Sequence, residues 1–596
     1  MQVINDVHQQ FAEYFPSDTL KPYLYLLSKK LGEGHICVDI NHIDKEELIE
    51  AGYNPVINKN ILRQEGLVSD GTGMKPFVLF NDRLYLQRYF NYETTILNRI
   101  KALIESEPAQ VQEKLIALKE IAGLINGLFD DNRDEPGGKE EYVNWPLVAA
   151  VSAVLNNFTV ITGGPGTGKT TTVAKLLSIL YTINPALKVA LTAPTGKAAA
   201  RMGESLKFAA KDAAGSLKSK FEALEPSTIH RLLGTIMGAS YFKHNNANTL
   251  NYDVVIADES SMIDTALFAK LLAAIGPATK LILLGDKDQL ASVEAGSLFG
   301  DLCLAQEKLN LFSAARRELI NAFIQDPARQ VGNDHIDNEP AHPLFEHIIE
   351  LQKSHRFSDN KGIGKFSKAI IHSREDEITG FFSNTDEEVT IDQEYAEKLF
   401  EVFISGYEAF INETDIKKAL EAINNLRVLC AVREGEQGVY AINKKVEKYL
   451  QQKNKISITG DFYEHRPIMV TSNNYELGLF NGDIGIVRMD RESKTLKVWF
   501  ETTDGKVKSV LPGYISGAET VYAMTIHKSQ GSEFTQVLVI LPKGEDIPIL
   551  TRELLYTAIT RAKKKVLVQG SETLILQTSK ASVQRGSGII DRFKQA

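Results

Sequence analysis

Residues 158 to 177 read FTVITGGPGTGKTTTVAKLL, and the side chains at positions 163 to 171 are those of a phosphate chemistry. The glycines Gly163, Gly164, Gly166 and Gly168 carry no Cβ, so backbone N–H groups can close around an anion. Pro165 and Thr167 complete the turn, and Lys169 is spaced to reach β- and γ-phosphates. Thr170, followed by Thr171, offers a hydroxyl to Mg²⁺. The apolar run before the turn predicts a buried strand, and the residues after Lys169 predict a helix whose N-terminus adds partial positive charge. Strand, glycine turn and helix together imply a nucleoside triphosphate site.

Two further segments carry carboxylates at the ends of apolar runs. DVVIADESSM places Asp258 and Glu259 there; aspartate also caps helices, but after a phosphate loop Asp258 is the expected Mg²⁺ partner and Glu259 the expected general base. KLILLGDKDQLASV ends in Asp286, Asp288 and Gln289, and Gln289 can hydrogen-bond a γ-phosphate or the attacking water. Phosphoryl transfer also needs planar cations, for which Arg356 in LQKSHRF and Arg561 in YTAITRAKK are the candidates. If both enter one cleft, ATP would close it and hydrolysis would reopen it.

The elements that must position these residues follow from the chain's pattern. At 596 residues the chain is long enough for about four domains, and 43% hydrophobic with 24% charged residues is ordinary for a globular protein. No apolar stretch reaches the length of a membrane span, and the N-terminus lacks the order of a signal peptide, so a cytoplasmic protein is expected. Cys37, Cys303 and Cys430 stand apart in apolar surroundings and read as buried thiols. A net charge of −9 confines any nucleic-acid contact to local patches. Lys197, Arg201, Lys207, Lys211, Lys218 and Lys220, against Glu204 and Asp212, form one such patch or else a solvated helix face.

Apolar runs alternating with helical stretches from about 145 to 305 predict a parallel sheet covered on both faces, with loops at the strands' carboxyl ends. A second such pattern begins at LRVLCAVREG and ends at KKVLVQG, interrupted by strands around Asn-Gly and Asp-Gly turns. The segment 130 to 141, DDNRDEPGGKEE, is the clearest linker. The expected division is an N-terminal partner-docking domain (1–130), a phosphate-loop domain (140–345), a second α/β domain in two parts (346–455 and 518–596) and an inserted β-barrel (456–517).

The order GGPGTGKT, TAPTGKAA, STIHRLLG, ADESSM, LLGDKDQL, LQKSHRF, YAMTIHKSQGSEF and YTAITRA resembles superfamily-1 helicases. More closely, with LGEGHICVDI, CAVREGEQGVYAIN and LGLFNGDIGIV, the chain resembles the RecD family, the alpha subunits of bacterial exodeoxyribonuclease V. The resemblance implies an α/β fold of two RecA-like P-loop NTPase-type domains with a small SH3-like β-barrel inserted and a mainly helical N-terminal domain. It implies ATP and Mg²⁺ at Lys169, Thr170, Asp258, Glu259 and Gln289, with Arg356 and Arg561 as arginine fingers. It assigns DNA contacts to Pro194, Thr195, Lys197, Thr228, His230, Thr525, His527 and Lys528, with Gln530, Gly531 and Glu533 in the last of these motifs.

The implied partners are single-stranded and duplex-end DNA and RecB-like and RecC-like subunits of a heterotrimer. The implied activity is 5′-to-3′ unwinding in double-strand break repair and recombination, with the nuclease on the RecB-like partner. A chiefly assembly-directed subunit and a stand-alone RecD-like helicase are the alternatives; the latter usually carries a longer N-terminal extension, and none is recognisable. One departure stands out: Pro146 occupies the place where such helicases commonly carry a glutamine that reads adenine. Proline has no side-chain donor or acceptor, leaving Asn144, the backbone or a relaxed base preference, and hydrolysis of GTP or another NTP is expected.

Overall fold

The computed structural model describes residues 6–54, 58–130, 142–212, 215–338, 342–383, 386–474, 476–502, 505–544, 547–583 and 585–595. The expected linker after residue 130 lies almost wholly outside them.

The N-terminal unit is mainly helical around a small sheet of β1 (Cys37–Asp39), β2 (Val68–Ser69), β3 (Phe77–Phe80) and β4 (Arg83–Leu86), ordered β1-β4-β3-β2. Asn81 and Asp82, at φ 48° and 59°, turn β3 into β4, a left-handed pair that these two residue types tolerate. Leu24, Leu27, Phe77 and Leu84 are in its own core. The helix Gln87–Glu105 departs from that core: Ile96, Leu97 and Ile100 pack with Phe158, Leu281 and Leu283 of the next domain. Leu118, Ile125 and Phe129 pack against that domain's other face. Packing therefore splits the stretch 1–130 into a unit ending near Leu86 and a helical cover for the first lobe.

The first lobe is a six-stranded parallel sheet of β5 (Phe158–Gly163), β6 (Val189–Ala193), β7 (Ser227–Thr228), β8 (Val254–Ala257), β9 (Lys280–Gly285) and β10 (Ile348–Leu351), ordered β10-β5-β9-β8-β6-β7. The central strands are buried on both faces, which is why they read as unbroken apolar runs rather than alternating ones. The loops after β5, β6, β8, β9 and β10 all emerge at the carboxyl edge, where a doubly wound sheet places its ligand.

The second lobe starts with β11 (Val389–Asp392) and β12 (Leu426–Cys430). The chain then forms an antiparallel sheet of β13 (Pro467–Val470), β14 (Ile484–Met489), β15 (Leu496–Glu501), β16 (Val507–Val510) and β17 (Ala518–Thr520), ordered β16-β15-β14-β13-β17 around Ile468, Val487, Val498 and Phe500. β18 (Ala523–Thr525), β19 (Phe534–Ile540) and β20 (Ala562–Gln569) complete the lobe as a parallel sheet ordered β11-β20-β19-β12-β18. The segments leading into β19 and β20 face the first lobe, so one sheet's carboxyl edge meets the other's amino edge. This is the RecA-like pairing with a small inserted β domain that the motif order implied.

The C-terminal segment then returns across both neighbours. Arg592, on the helix Ile589–Gln595, pairs with Glu93 at 3.0 Å, both of them buried, and Arg585 Nη1 donates to Gly296 O at 2.8 Å. Cys37, Cys303 and Cys430 are buried free thiols. No helix among the described residues is long and apolar enough to cross a membrane.

Candidate active site

The turn after β5 is shaped by its glycines. Gly166 and Gly168 sit at φ 79° and 83°, in the left-handed region, and the helix Lys169–Ile183 begins at once. The segment after β10 lies directly on this turn: His355 N donates to Gly166 O (2.8 Å) and Ser354 Oγ to Pro165 O (3.0 Å). The contact is so close that a Cβ on Gly166 would stand 2.4 Å from Arg356 Cβ. Thr167 Oγ1 braces the turn on Gly164 O at 2.9 Å. Lys169 Nζ donates to Gly163 O and Gly164 O at 2.5 and 3.2 Å, which holds the ammonium inside the loop. Thr170 and Thr171 occupy the first helical turn behind it, Thr170 partly buried and Thr171 exposed.

Asp258 follows β8 and accepts Glu259 N on Oδ1 at 2.8 Å. Glu259 takes φ 51°, a conformation uncommon for a side chain of its kind and held here at a strand end. Burial pushes the Asp258 carboxyl up to about 6, with the neighbouring Glu259 charge acting in the same sense and Lys169 and Arg201 opposing. Asp286, after β9, rises to about 6 through burial, against the pull of Lys169.

A chain of hydrogen bonds crosses from one lobe to the other. Gln289 Nε2 donates to Asp286 Oδ2 at 2.8 Å, and Arg561 Nη2 donates to Gln289 Oε1 at 2.7 Å. Tyr556 OH donates to the same Asp286 Oδ2 at 3.2 Å. Beside it, Leu290 N donates to Thr557 Oγ1 (2.9 Å), and Gln530 Nε2 donates to Leu290 O (2.8 Å). Arg561 itself is 4% exposed and is fixed by Thr557 O and Ser532 O, each at 3.2 Å.

Arg356 stands above the turn. Its Nη2 donates to Glu533 Oε1 at 2.6 Å, while its buried Nη1 has no partner among the described residues. Glu533 also faces Arg201 and Lys563, each at 3.4 Å. Burial would raise this carboxyl, yet the cations, Arg201 and Arg356 foremost, hold it at about 2. An orphaned guanidinium N–H over a glycine cradle is what a bound phosphate would satisfy.

The residues expected to touch DNA divide. Lys197 is tied to the second lobe through Ser532 Oγ at 2.7 Å, and burial pulls its amine down to about 7; Arg201 Nη1 donates to Gly531 O at 2.7 Å. The first two cations of the basic segment thus close the cleft, whereas Lys207, Lys211 and Lys218 remain exposed. Thr195 Oγ1 accepts Ala198 N (3.2 Å) after the partly buried Pro194, and Gly196 packs against Phe480 of the inserted sheet. Thr228 caps the helix Ile229–Leu233, leaving His230 exposed and edge-on to Phe242 at 5.6 Å. Thr525 Oγ1 accepts Lys528 N, Lys528 Nζ pairs with Glu519 at 2.7 Å, and His527 is partly buried.

Three participants were not singled out for a role by sequence: Tyr556, Thr557 and Ser532. Tyr556 lies five residues before Arg561, and that spacing was its only signal. Asn144, considered for base recognition, is buried and spent locally: Oδ1 caps Leu147 N, and Nδ2 donates to Phe129 O, each at 3.3 Å.

Comparison with known proteins places four family models on the chain. They are a RecBCD enzyme subunit RecD N-terminal domain (2–85), an AAA domain (148–295), an ATP-dependent RecD-like DNA helicase SH3 domain (442–500) and a UvrD-like helicase C-terminal domain (520–569). A RecBCD enzyme subunit RecD of Mycolicibacterium smegmatis is 32% identical over 98% of this chain and 95% of its own length. Another, of Haemophilus influenzae, is 35% identical over 76% of this chain and 72% of its length. An ATP-dependent RecD2 DNA helicase of Deinococcus radiodurans is 26% identical over 86% of this chain but 59% of its own length.

Proposed function

The chain belongs to the RecD family of RecBCD enzyme subunits, and on that basis we propose that its cleft hydrolyses ATP to drive DNA unwinding, as the 5′-to-3′ motor subunit of a RecBCD-type exodeoxyribonuclease V acting in double-strand break repair and recombination. The observation that carries the reading is the Arg561–Gln289–Asp286 chain, which joins residues of both lobes beside the phosphate loop. A nucleotide there would be sensed by both lobes at once.

The residues fit ATP with Mg²⁺. Orphaned Arg356 Nη1, the cradle at Gly166 and the ammonium of Lys169 suit a triphosphate, and Thr170 with Asp258 supplies hard oxygen donors for Mg²⁺. Bound Mg²⁺ neutralises charge on the phosphates. Lys169 and the loop amides orient the phosphates; Glu259 takes a proton from the attacking water; Gln289 positions that water; Arg356 and Arg561 stabilise charge on the phosphoryl oxygens. Loss of the γ-phosphate removes the ligand shared by the two lobes, and they part. Pro194, Thr195, Thr228, His230, Thr525, His527 and Lys528 hold the strand between closures, while Lys197 serves closure through Ser532.

The N-terminal unit, which exposes Tyr14, Ile49, Ile61 and Met74, is the docking surface for RecB-like and RecC-like subunits. We assign no DNA cleavage to this chain. Duplexes with a single 5′ or 3′ overhang, offered with ATP to the chain alone and with co-expressed partners, test the motor reading. Displacement of the 5′-tailed strand only is expected; displacement from 3′ tails would overturn the polarity, and none in either setting would overturn the motor.

A further inference from the structure

β10 ends at Leu351, in register with Gly163 of β5, so residues 352 to 356 run directly over the phosphate loop. Gln352 heads that run and is exposed, yet its amide is oriented: Oε1 accepts the indole N–H of buried Trp145 at 3.0 Å. With its oxygen committed to Trp145, Gln352 keeps its NH₂ donors for another partner. Alongside, the Lys353 ammonium lies 4.1 Å from the centroid of the Tyr142 ring, and the Arg329 guanidinium carbon 5.2 Å from the same centroid. Arg329 Nε is buried without a partner among the described residues. Asn144 and Pro146 have nothing to offer a ligand, since one is spent on its helix cap and the other has no polar side chain.

We propose that Gln352, held by Trp145, forms with Tyr142, Lys353 and Arg329 the base subsite of the nucleotide cleft, and that this subsite takes purines by their acceptor atoms without selecting adenine over guanine. The proposal rests on the ATP-hydrolysing reading of the adjoining phosphate loop. Gln352, Lys353 and Arg329 are all donors. Adenine and guanine both present N7 as an acceptor, beside an amino group on adenine and O6 on guanine, whereas the matching edge of cytosine presents an amino group and no ring-nitrogen acceptor. Donors aimed at N7 therefore accept either purine, with guanine O6 as a second acceptor, and find no such acceptor on that edge of cytosine. The cation-flanked Tyr142 adds a surface against which a broad base lies better than a small one.

The test compares hydrolysis of ATP, GTP and CTP by the full chain with single-stranded DNA present, for the natural protein, Gln352→Glu, Tyr142→Ala and Lys169→Ala. Gln352→Glu keeps an acceptor for Trp145 but turns the amide donor into an acceptor, which suits the adenine amino group and opposes guanine O6. The natural protein should use ATP and GTP with kcat/KM within about tenfold of each other and CTP less well, and Gln352→Glu should move the ATP:GTP ratio toward ATP by roughly five- to tenfold. Tyr142→Ala should lower kcat/KM for both purine nucleotides together.

The same ratios read as binding, by Trp145 fluorescence in a Trp499→Phe background, report on any variant that binds without turnover. An ATP:GTP ratio that Gln352→Glu leaves unchanged, or CTP used as well as ATP by the natural protein, overturns the proposal. Lys169→Ala separates the two layers: loss of all three activities upholds the phosphate-loop reading whatever the ratios do, and retention of all three overturns it.

Discussion

Arg561 is buried, belongs to the second lobe and donates to the glutamine beside the first lobe's carboxylates, the position the proposed hydrolysis requires of a transition-state cation. Arg561→Ala should lower kcat for DNA-stimulated ATP hydrolysis about a thousandfold while changing ATP binding little, the pattern of a group acting on the transition state. Steady-state kinetics and equilibrium nucleotide binding check this; equal losses in both would make Arg561 a structural residue instead. Glu533 supplies a pH prediction. Its folded value of about 2 lies below the ordinary 4.5, so its contribution to stability is present above about 4.5 and is lost as pH falls from there toward 2. Denaturation followed across that window should show a shallower acid limb for Glu533→Gln than for the natural protein. Lys169, Asp258, Gln289 and Arg561 could be named as candidates because each stands in a fixed motif; Tyr556 and Ser532 could not, since a phenol and a hydroxyl meet their partners only where the opposite lobe brings them.

Among the elements, the glycine turn and the segment after β10 behave as one part. Gly166→Ala would force an L-residue to φ 79° and drive its methyl into Arg356 Cβ. The backbone cost is about 1–2 kcal/mol, and the displaced Arg356 should lower kcat/KM for ATP by about a hundredfold; a fall of less than threefold with an unchanged melting temperature would show that the two segments are not coupled. The strands of both lobes were legible because strands buried on both faces appear as apolar runs between polar turns. The two roles of the basic segment were not. Charge and helical spacing cannot tell Lys197 and Arg201, which meet Ser532 and Gly531, from Lys207 and Lys211, which meet solvent.

For the whole molecule, hydrophobic periodicity states which helix face is buried but not what buries it. Hence the helix Gln87–Glu105 read as part of an N-terminal domain, although it belongs to the first lobe's core, and the C-terminal return to Glu93 had no signal. Glu93→Ala would leave Arg592 charged and unpaired in a buried site, a loss of about 3–5 kcal/mol. It should appear as a lower denaturant midpoint for the transition of the first lobe and its cover; an unchanged midpoint would mean that the C-terminal helix is not docked there.

DNA should stimulate ATP hydrolysis in a single cleft made by the two lobes. The measurement is ATP hydrolysis with and without single-stranded DNA, for the natural chain, Lys169→Ala and Arg561→Ala. DNA should stimulate the natural chain strongly and neither variant, one substitution lying in each lobe. Stimulated hydrolysis by Lys169→Ala near the natural rate would mean that the phosphate loop does not hold the ATP that DNA acts upon.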